Sequence, residues 1–205
     1  SRGCPYRCAF CLSANDRRVR RFPKARVLAA LDRLYERGAR RFKFVDRALH
    51  LGWGRDLLRW LLARLDEGGP VFAHFELVPD HLPDDLRDLL RRFPPGALQL
   101  EAGVQSFDPQ VTERIGRAQD RDRLQETLAF LRDDTAVHVH ADLVAGLPGE
   151  TLAGFGAGFD ELLSLGPQEI QLGLLKRLRG SPLAARAPEW GLTFDPAPPY
   201  TVRRT

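Results

Sequence analysis

Apolar and polar positions along the chain follow two alternating periods. Short stretches rich in apolar and β-branched residues, near 41–46, 71–78, 97–104, 137–145 and 168–175, predict strands. The stretches between them have helical spacing. Val27, Leu28, Leu31 and Leu34 fall on one face of 24–37, which Gly38 ends, and Leu57, Leu58, Leu61, Leu62 and Leu65 repeat the pattern over 54–66. A further helix is predicted over 83–92, starting after Asp80 with Pro83 in its first turn. Asp108-Pro109 supplies the N-cap and first residue of the next, Asp120 starts a run to Leu131, and 150–164 completes the series. Strands alternating with helices in this way predict βα units around a parallel sheet.

The strands carry a second pattern. Strands of a parallel sheet covered on both faces normally read as continuous apolar runs. Here polar residues recur with period two: His74 and Glu76, Gln99 and Glu101, then His138, His140 and Asp142, then Gln171. The intervening Phe75, Leu98, Leu100, Val137, Val139, Ile170 and Leu172 would face the helices. A curved sheet, a partial barrel with a polar lumen, reconciles one polar face with helices on the other. Chemistry in such barrels sits at the carboxyl ends of the strands, where Asp46, Glu76, Glu101 and Asp142 fall. A polar lumen is costly unless its groups are paired. Either these residues form a satisfied buried network, or a cationic ligand answers the acids, which have few basic partners in the strands.

Composition narrows the class. With 43% hydrophobic and 28% charged residues, 18 Gly and 15 Pro, the chain is an ordinary globular one, neither disordered nor collagen-like, and 205 residues bury a real core. No window approaches the roughly 18 apolar residues of a membrane span, and no apolar run follows Ser1-Arg-Gly-Cys4 as in a signal peptide, so a cytoplasmic protein with no membrane partner is expected. Methionine is absent even at position 1, which predicts an internal piece of a longer gene product. Of the 31 basic residues only Lys24, Lys43 and Lys176 are lysine, and the net charge is +4. The arginines are scattered and no aromatic interleaves the local excess at Arg17–Arg21, which makes nucleic acid the weaker partner.

All three cysteines, Cys4, Cys8 and Cys11, fall within one short loop. An odd count in so short a stretch makes no disulfide framework, and three thiolates from one loop suit a soft metal centre. Structural zinc needs a fourth protein ligand, yet the nearest histidine is His50. A four-iron cluster is usually held by four cysteines; with three, one iron is left open to a small molecule. Gly3 and Pro5 shape the loop and Phe10 offers an apolar wall. A cluster, zinc and incidental cysteines all remain open on this reading.

The spacing Cys-x-x-x-Cys-x-x-Cys, with an aromatic before the last Cys, resembles the signature of the radical S-adenosylmethionine (SAM) superfamily. Later segments resemble it in order. Phe42-Lys-Phe-Val-Asp46 stands where the family has a Gly-Gly-Glu-like turn, with only the acid kept, and Phe75-Glu76 matches an acid at the third strand. Gly103-Val-Gln-Ser-Phe-Asp108 is similar to the fourth-strand motif, and Arg117 matches an arginine that pairs with the SAM carboxylate. Asp142-Leu-Val-Ala-Gly-Leu-Pro-Gly-Glu150 looks like the fifth-strand motif beside ribose and adenine, with Gly146 and Gly149 allowing close approach. The likeness is greatest to the branch holding oxygen-independent coproporphyrinogen oxidase and cobalamin-binding radical SAM proteins. Ser1-Arg-Gly-Cys4, Lys43–Arg47, Val137–Asp142 and Leu175–Pro182 resemble one cobalamin-binding subgroup more closely, so cobalamin is implied for the parent alone.

The resemblance implies an α/β fold, a partial (β/α)6 TIM-like barrel of the radical SAM type with its first strand missing from the chain. Its core would be residues 1–183 with the cluster loop at 1–15, and 184–205 would begin a C-terminal extension or linker. It implies a 4Fe-4S cluster on Cys4, Cys8 and Cys11, and SAM held by Phe10, Asp46, Glu76, Glu101, Gln105, Arg117, Asp142 and Gly146. Reductive cleavage of SAM would give a 5′-deoxyadenosyl radical that takes hydrogen from an unknown substrate, with flavodoxin or ferredoxin as electron donor. The alternatives are a non-catalytic iron–sulfur or zinc module and a radical SAM protein that modifies tRNA.

Overall fold

The computed structural model describes residues 1–205, and the two periods of the sequence become two layers. The β-branched segments form one five-stranded, all-parallel sheet in the order β1-β2-β3-β4-β5. These are β1 Arg41–Lys43, β2 Phe72–Leu77, β3 Leu98–Gln105, β4 His138–Ala145 and β5 Glu169–Leu174. The helices are α1 Lys24–Glu36, α2 Gly54–Asp66, α3 Asp84–Leu90, α4 Pro109–Arg114, α5 Arg121–Asp134 and α6 Leu152–Leu165. Strict alternation along β3 buries Leu98, Leu100, Ala102 and Val104 under the helices. Gln99, Glu101, Gly103 and Gln105 are left half-buried on the other face. β4 does the same with Val139, Ala141 and Leu143 inside. The main core therefore lies between sheet and helices, and the polar face lines open space.

The caps show which sequence signals act locally. The Asp108 side chain accepts from the N–H groups of Gln110 and Val111, and Asp120 accepts from Arg123, as N-cap aspartates do. Asp80 does not start α3. It sits in a tight turn, Pro79–His81, and Pro83 is the N-cap residue, because the Asp80 carboxylate is drawn inward to the Asp120 N–H at 3.1 Å. α6 begins at Leu152 behind a Thr151 cap, because the buried Glu150 instead accepts from the Ser106 hydroxyl at 2.5 Å. β1 is shorter than the apolar stretch that predicts it, since Val45 and Asp46 leave the ladder after Lys43. Three residues long and carrying Arg41 and Lys43, it makes a blunted edge.

The last residues form structure that periodicity did not reveal: α7 Pro182–Arg186 and an antiparallel pair, β6 Thr193–Phe194 with β7 Val202–Arg204. They build a second, smaller core of Ala9, Val111, Ile115, Leu147, Leu175, Leu183, Ala187 and Leu192. The cysteine loop is clamped by it. Ala9 donates its N–H to the Ile115 carbonyl at 2.7 Å and accepts from the Leu183 N–H at 2.8 Å. The segment 184–205 thus packs against the loop that carries the thiols.

Candidate cofactor site

The cysteine loop is fixed at both ends by backbone. Arg2 and Arg20 exchange hydrogen bonds at 2.9 and 2.8 Å, and the Cys4 N–H donates to Asp16 at 2.8 Å. Gly3 has φ +88°, and a Cβ there would meet the Asp16 carbonyl at 3.0 Å and the Arg18 carbonyl closer still, so only glycine fits this crossing. Cys4 and Cys8 are buried and Cys11 half-buried. Burial pushes the Cys4 thiol up; a backbone hydrogen bond from Tyr6 opposes this, and the neighbouring Cys8 and Cys11 add to it.

The three cysteines open onto one cavity of about 160 Å3 at the carboxyl ends of the strands. Phe10, Glu76, Glu101, Gln105, Arg117 and Asp142 line it with them. Eleven sequence-chosen positions thus separate into nine that share this cavity and two that do not. Asp46 is turned away: its Oδ1 accepts from the Ser1 hydroxyl at 2.5 Å. Gly146, at φ +88°, is covered by the C-terminal pair, and a Cβ there would lie 2.5 Å from a Val202 methyl. Sequence reasoning missed Arg47 and Tyr6, which also line the cavity. Their signal was position alone, Tyr6 between two of the cysteines and Arg47 next to the motif acid.

β3 ends in a distortion that aims two of these groups. The register with β4 shifts between Gly103 and Gln105, and Gln105 adopts φ +74°, a conformation rare outside glycine. Its amide folds back over Gly103, where a Cβ would stand 2.7 Å from Nε2. Arg117, only 8% exposed, reaches into the same corner. Its Nη1 lies 3.8 Å from Cys8 Sγ, Nη2 donates to the Gly103 carbonyl, and Nε has no partner. A buried guanidinium with an unanswered N–H beside a thiol is a poised anion site.

The acids are better partnered than the strand sequences suggested, because their partners come from loops and neighbouring strands. Arg47 donates to Glu76 at 3.2 Å, His74 Nε2 lies 3.0 Å from Glu101, and Gln171 donates to Asp142 at 3.1 Å. Neutralisation is incomplete. Burial pushes Glu76 up despite Arg47. Burial and the nearby Glu101 push Asp142 up to about 6, while burial and Lys43 hold His74 below the usual imidazole range. For Asp142 the folded value lies above the unfolded one near 4, so the chain is unpenalised below about pH 4 and destabilised as pH rises through 6. Asp142→Asn is therefore expected to stabilise the apoprotein at pH 8, by up to about 3 kcal/mol, and to have no effect at pH 4. Urea midpoints at the two pH values measure this; equal effects at both would overturn it.

No three His, Cys, Asp or Glu groups converge on a single ion position. Three thiols spread around one cavity fit a polynuclear cluster, in which each binds a different iron. The partnerless Arg117 Nε and the half-neutralised acids suit a second ligand with both a carboxylate and cationic groups.

Fold and cavity together define a parallel α/β partial barrel with a thiol-lined site at the carboxyl ends of its strands. The chain belongs to the radical SAM superfamily, whose family model matches residues 1–160. Enzymes of this family use a 4Fe-4S cluster and SAM. Among similar proteins, oxygen-independent coproporphyrinogen III oxidase of Paracoccus denitrificans is 27% identical over 184 residues, covering 82% of this chain and 40% of that protein. The tRNA-2-methylthio-N(6)-dimethylallyladenosine synthase of Cereibacter sphaeroides is 30% identical over 175 residues, covering 80% and 39%. The chain thus spans about two fifths of the length of these relatives. Of the solved structures, the radical SAM methyltransferase TsrM of Kitasatospora setae, with cobalamin and a 4Fe-4S cluster bound, superposes with a TM-score of 0.75 at 19% identity. That match covers 98% of this chain and 42% of that one. Coproporphyrinogen III oxidase of Escherichia coli superposes at 0.59 and 18% identity, covering 100% and 54%. No helix of the chain is long and apolar enough to cross a membrane.

Proposed function

We propose that this chain is the cofactor-binding core of a radical SAM enzyme. Cys4, Cys8 and Cys11 would hold the 4Fe-4S cluster, and the fourth iron would be left for SAM. The observation that carries this reading is the single cavity shared by three thiols, a buried arginine and three carboxylates. Arg117 would take the SAM carboxylate with the N–H groups it has to spare, and Gln105 would add a hydrogen bond from the distorted end of β3. Glu76, Glu101 and Asp142 would face the ammonium, sulfonium and ribose, and Phe10 would wall the apolar side. Asp46 and Gly146 are left out of this set, being engaged by the Ser1 hydroxyl and covered by Val202.

A cluster held by Cys4, Cys8 and Cys11 would supply, when reduced, the one electron needed to cleave the sulfonium carbon–sulfur bond of SAM to methionine and a 5′-deoxyadenosyl radical. The chain's own part is to orient SAM, exclude water and present the half-buried acids to its cationic groups. Glu101 also lines the adjoining lumen cavity of about 530 Å3, with His74, Gln99, His140 and Gln171, which gives a substrate room beside the site. A one-electron donor of the flavodoxin or ferredoxin kind is the partner this reading requires. Cobalamin is proposed only for a longer polypeptide containing this chain.

A second reading, action on tRNA, is favoured by the 30% identity to the tRNA-modifying relative. The exposed Arg17, Arg18, Arg177 and Arg179 support it, since Asn15 ties their two segments together through the Gly180 carbonyl at 2.7 Å. A strongly salt-dependent affinity for tRNA would favour it over a small-molecule substrate.

The test is anaerobic reconstitution followed by dithionite and SAM. Four irons per chain and release of 5′-deoxyadenosine with methionine are expected. Zinc in place of iron, or a full cluster that never cleaves SAM, overturns the reading in favour of a non-catalytic module.

A further inference from the structure

Four titratable side chains that this chemistry does not use gather beside the cysteine loop. The Tyr6 hydroxyl lies 3.1 Å from His50 Nε2. The Tyr6 ring meets His50 edge-on at 6.4 Å and His81 edge-on at 5.6 Å, and the two imidazoles stack at 6.1 Å. His81 Nδ1 is 3.2 Å from Asp80 Oδ2, the same oxygen that accepts from the Asp120 N–H at 3.1 Å. His50 comes from the turn Leu49–Leu51 before α2, Asp80 and His81 from the turn before α3, and Asp120 caps α5. One hydrogen-bonded, ring-packed array thus joins the middle of the Cys4–Cys8 segment to three of the connections that surround the barrel mouth.

The array is not a metal site, since its ligand-type groups do not converge on one ion position. Nor is it incidental surface polarity. Asp80 is 3% exposed with Oδ1 unpartnered, and His50 Nδ1 is buried without a partner. Leaving such atoms unanswered is costly unless the arrangement fixes something. Burial and the neighbouring His81 hold His50 below the usual imidazole range.

What the array fixes follows from the backbone. Between Cys4 and Ala9 no loop N–H donates to a backbone carbonyl; the hydrogen bonds resume at Ala9 and Cys11. The stretch that carries two of the three thiols is therefore held between its ends by side chains, Cys8 against Arg117 and Tyr6 against His50 and His81. We propose that Tyr6 is a positioning residue for the iron–sulfur cluster, pinned by His50 and boxed by His81, so that Cys4 and Cys8 face the barrel before a cluster is bound. The proposal rests on the assignment of the three cysteines as cluster ligands.

Tyr6→Phe keeps the ring and removes the hydrogen bond. In the apoprotein it is expected to speed hydrogen exchange at the Cys4, Ala9 and Cys11 amides about tenfold, with no change at α5 amides that exchange by local fraying. In the reconstituted protein it is expected to release iron to a chelator about tenfold faster. His50→Leu should behave like Tyr6→Phe, whereas His50→Gln, which can still bond the phenol, should restore slow release. Wild-type exchange and iron release in Tyr6→Phe, or equal behaviour of His50→Leu and His50→Gln, would overturn the proposal. If the wild type takes up no cluster, the assignment of the cysteines fails, while the apoprotein exchange still decides whether Tyr6 orders the loop.

Discussion

Cys8→Ala is expected to abolish the cluster while leaving the fold intact. Cys8 is buried at the middle of the loop, with its sulfur facing the Arg117 guanidinium across the shared cavity. Its neighbour Ala9 is held by hydrogen bonds from both sides, so the backbone beside the substitution keeps its path. Removing groups that merely support metal ligands commonly costs 10–100-fold in affinity, and loss of a ligand itself should exceed about 100-fold. Iron content and visible absorbance after anaerobic reconstitution should fall to background, and SAM cleavage with them. The lost sulfur is small, so the folded state should lose only about 1 kcal/mol. Circular dichroism and the urea midpoint check that half of the statement. A full complement of iron in Cys8→Ala would sink the cluster assignment.

Arg117→Ala is expected to separate SAM binding from cluster binding. The guanidinium is fixed by the Gly103 carbonyl on one nitrogen, lies against the Cys8 sulfur with another and has a third N–H free. It contributes no thiolate, so the iron content should match the wild type. Truncating one partner of a buried, hydrogen-bonded charge pair costs about 2–5 kcal/mol, which corresponds to a loss of roughly 30-fold or more in SAM affinity. Arg117→Lys should recover little, because an ammonium is a point donor and cannot present two parallel N–H groups to a carboxylate. Equilibrium binding of SAM to the reconstituted variants reads both effects. Unchanged affinity in Arg117→Ala would remove Arg117 from the site, and loss of iron in the same variant would show that it supports the loop instead.

Much of the architecture was legible before any coordinates because βα units advertise themselves locally. The helices over 24–37 and 54–66, and the caps at Asp108 and Asp120, appear where the sequence places them, although Leu34 of the first is left exposed. The exceptions are instructive. Asp80 and Glu150 look like helix starts in sequence, but each is recruited by a distant group, the Asp120 N–H and the Ser106 hydroxyl. The C-terminal helix and strand pair carry little periodicity because they are short, and their apolar residues pack on the cysteine loop rather than on a face of their own. The same packing takes Gly146 out of the cavity, and a contact with Ser1 takes Asp46 out.

The sequence by itself determined the strand and helix periods, the polar face of the sheet and the three-thiol loop, since each depends on spacing within a few residues. Tertiary structure alone decided which polar residues meet. It brought Arg117 to Cys8 across 109 positions, paired each acid with a partner from another segment, and tied Tyr6 to His50 across 44. Such contacts depend on how far the sheet curves and where its loops return, and no local pattern encodes either.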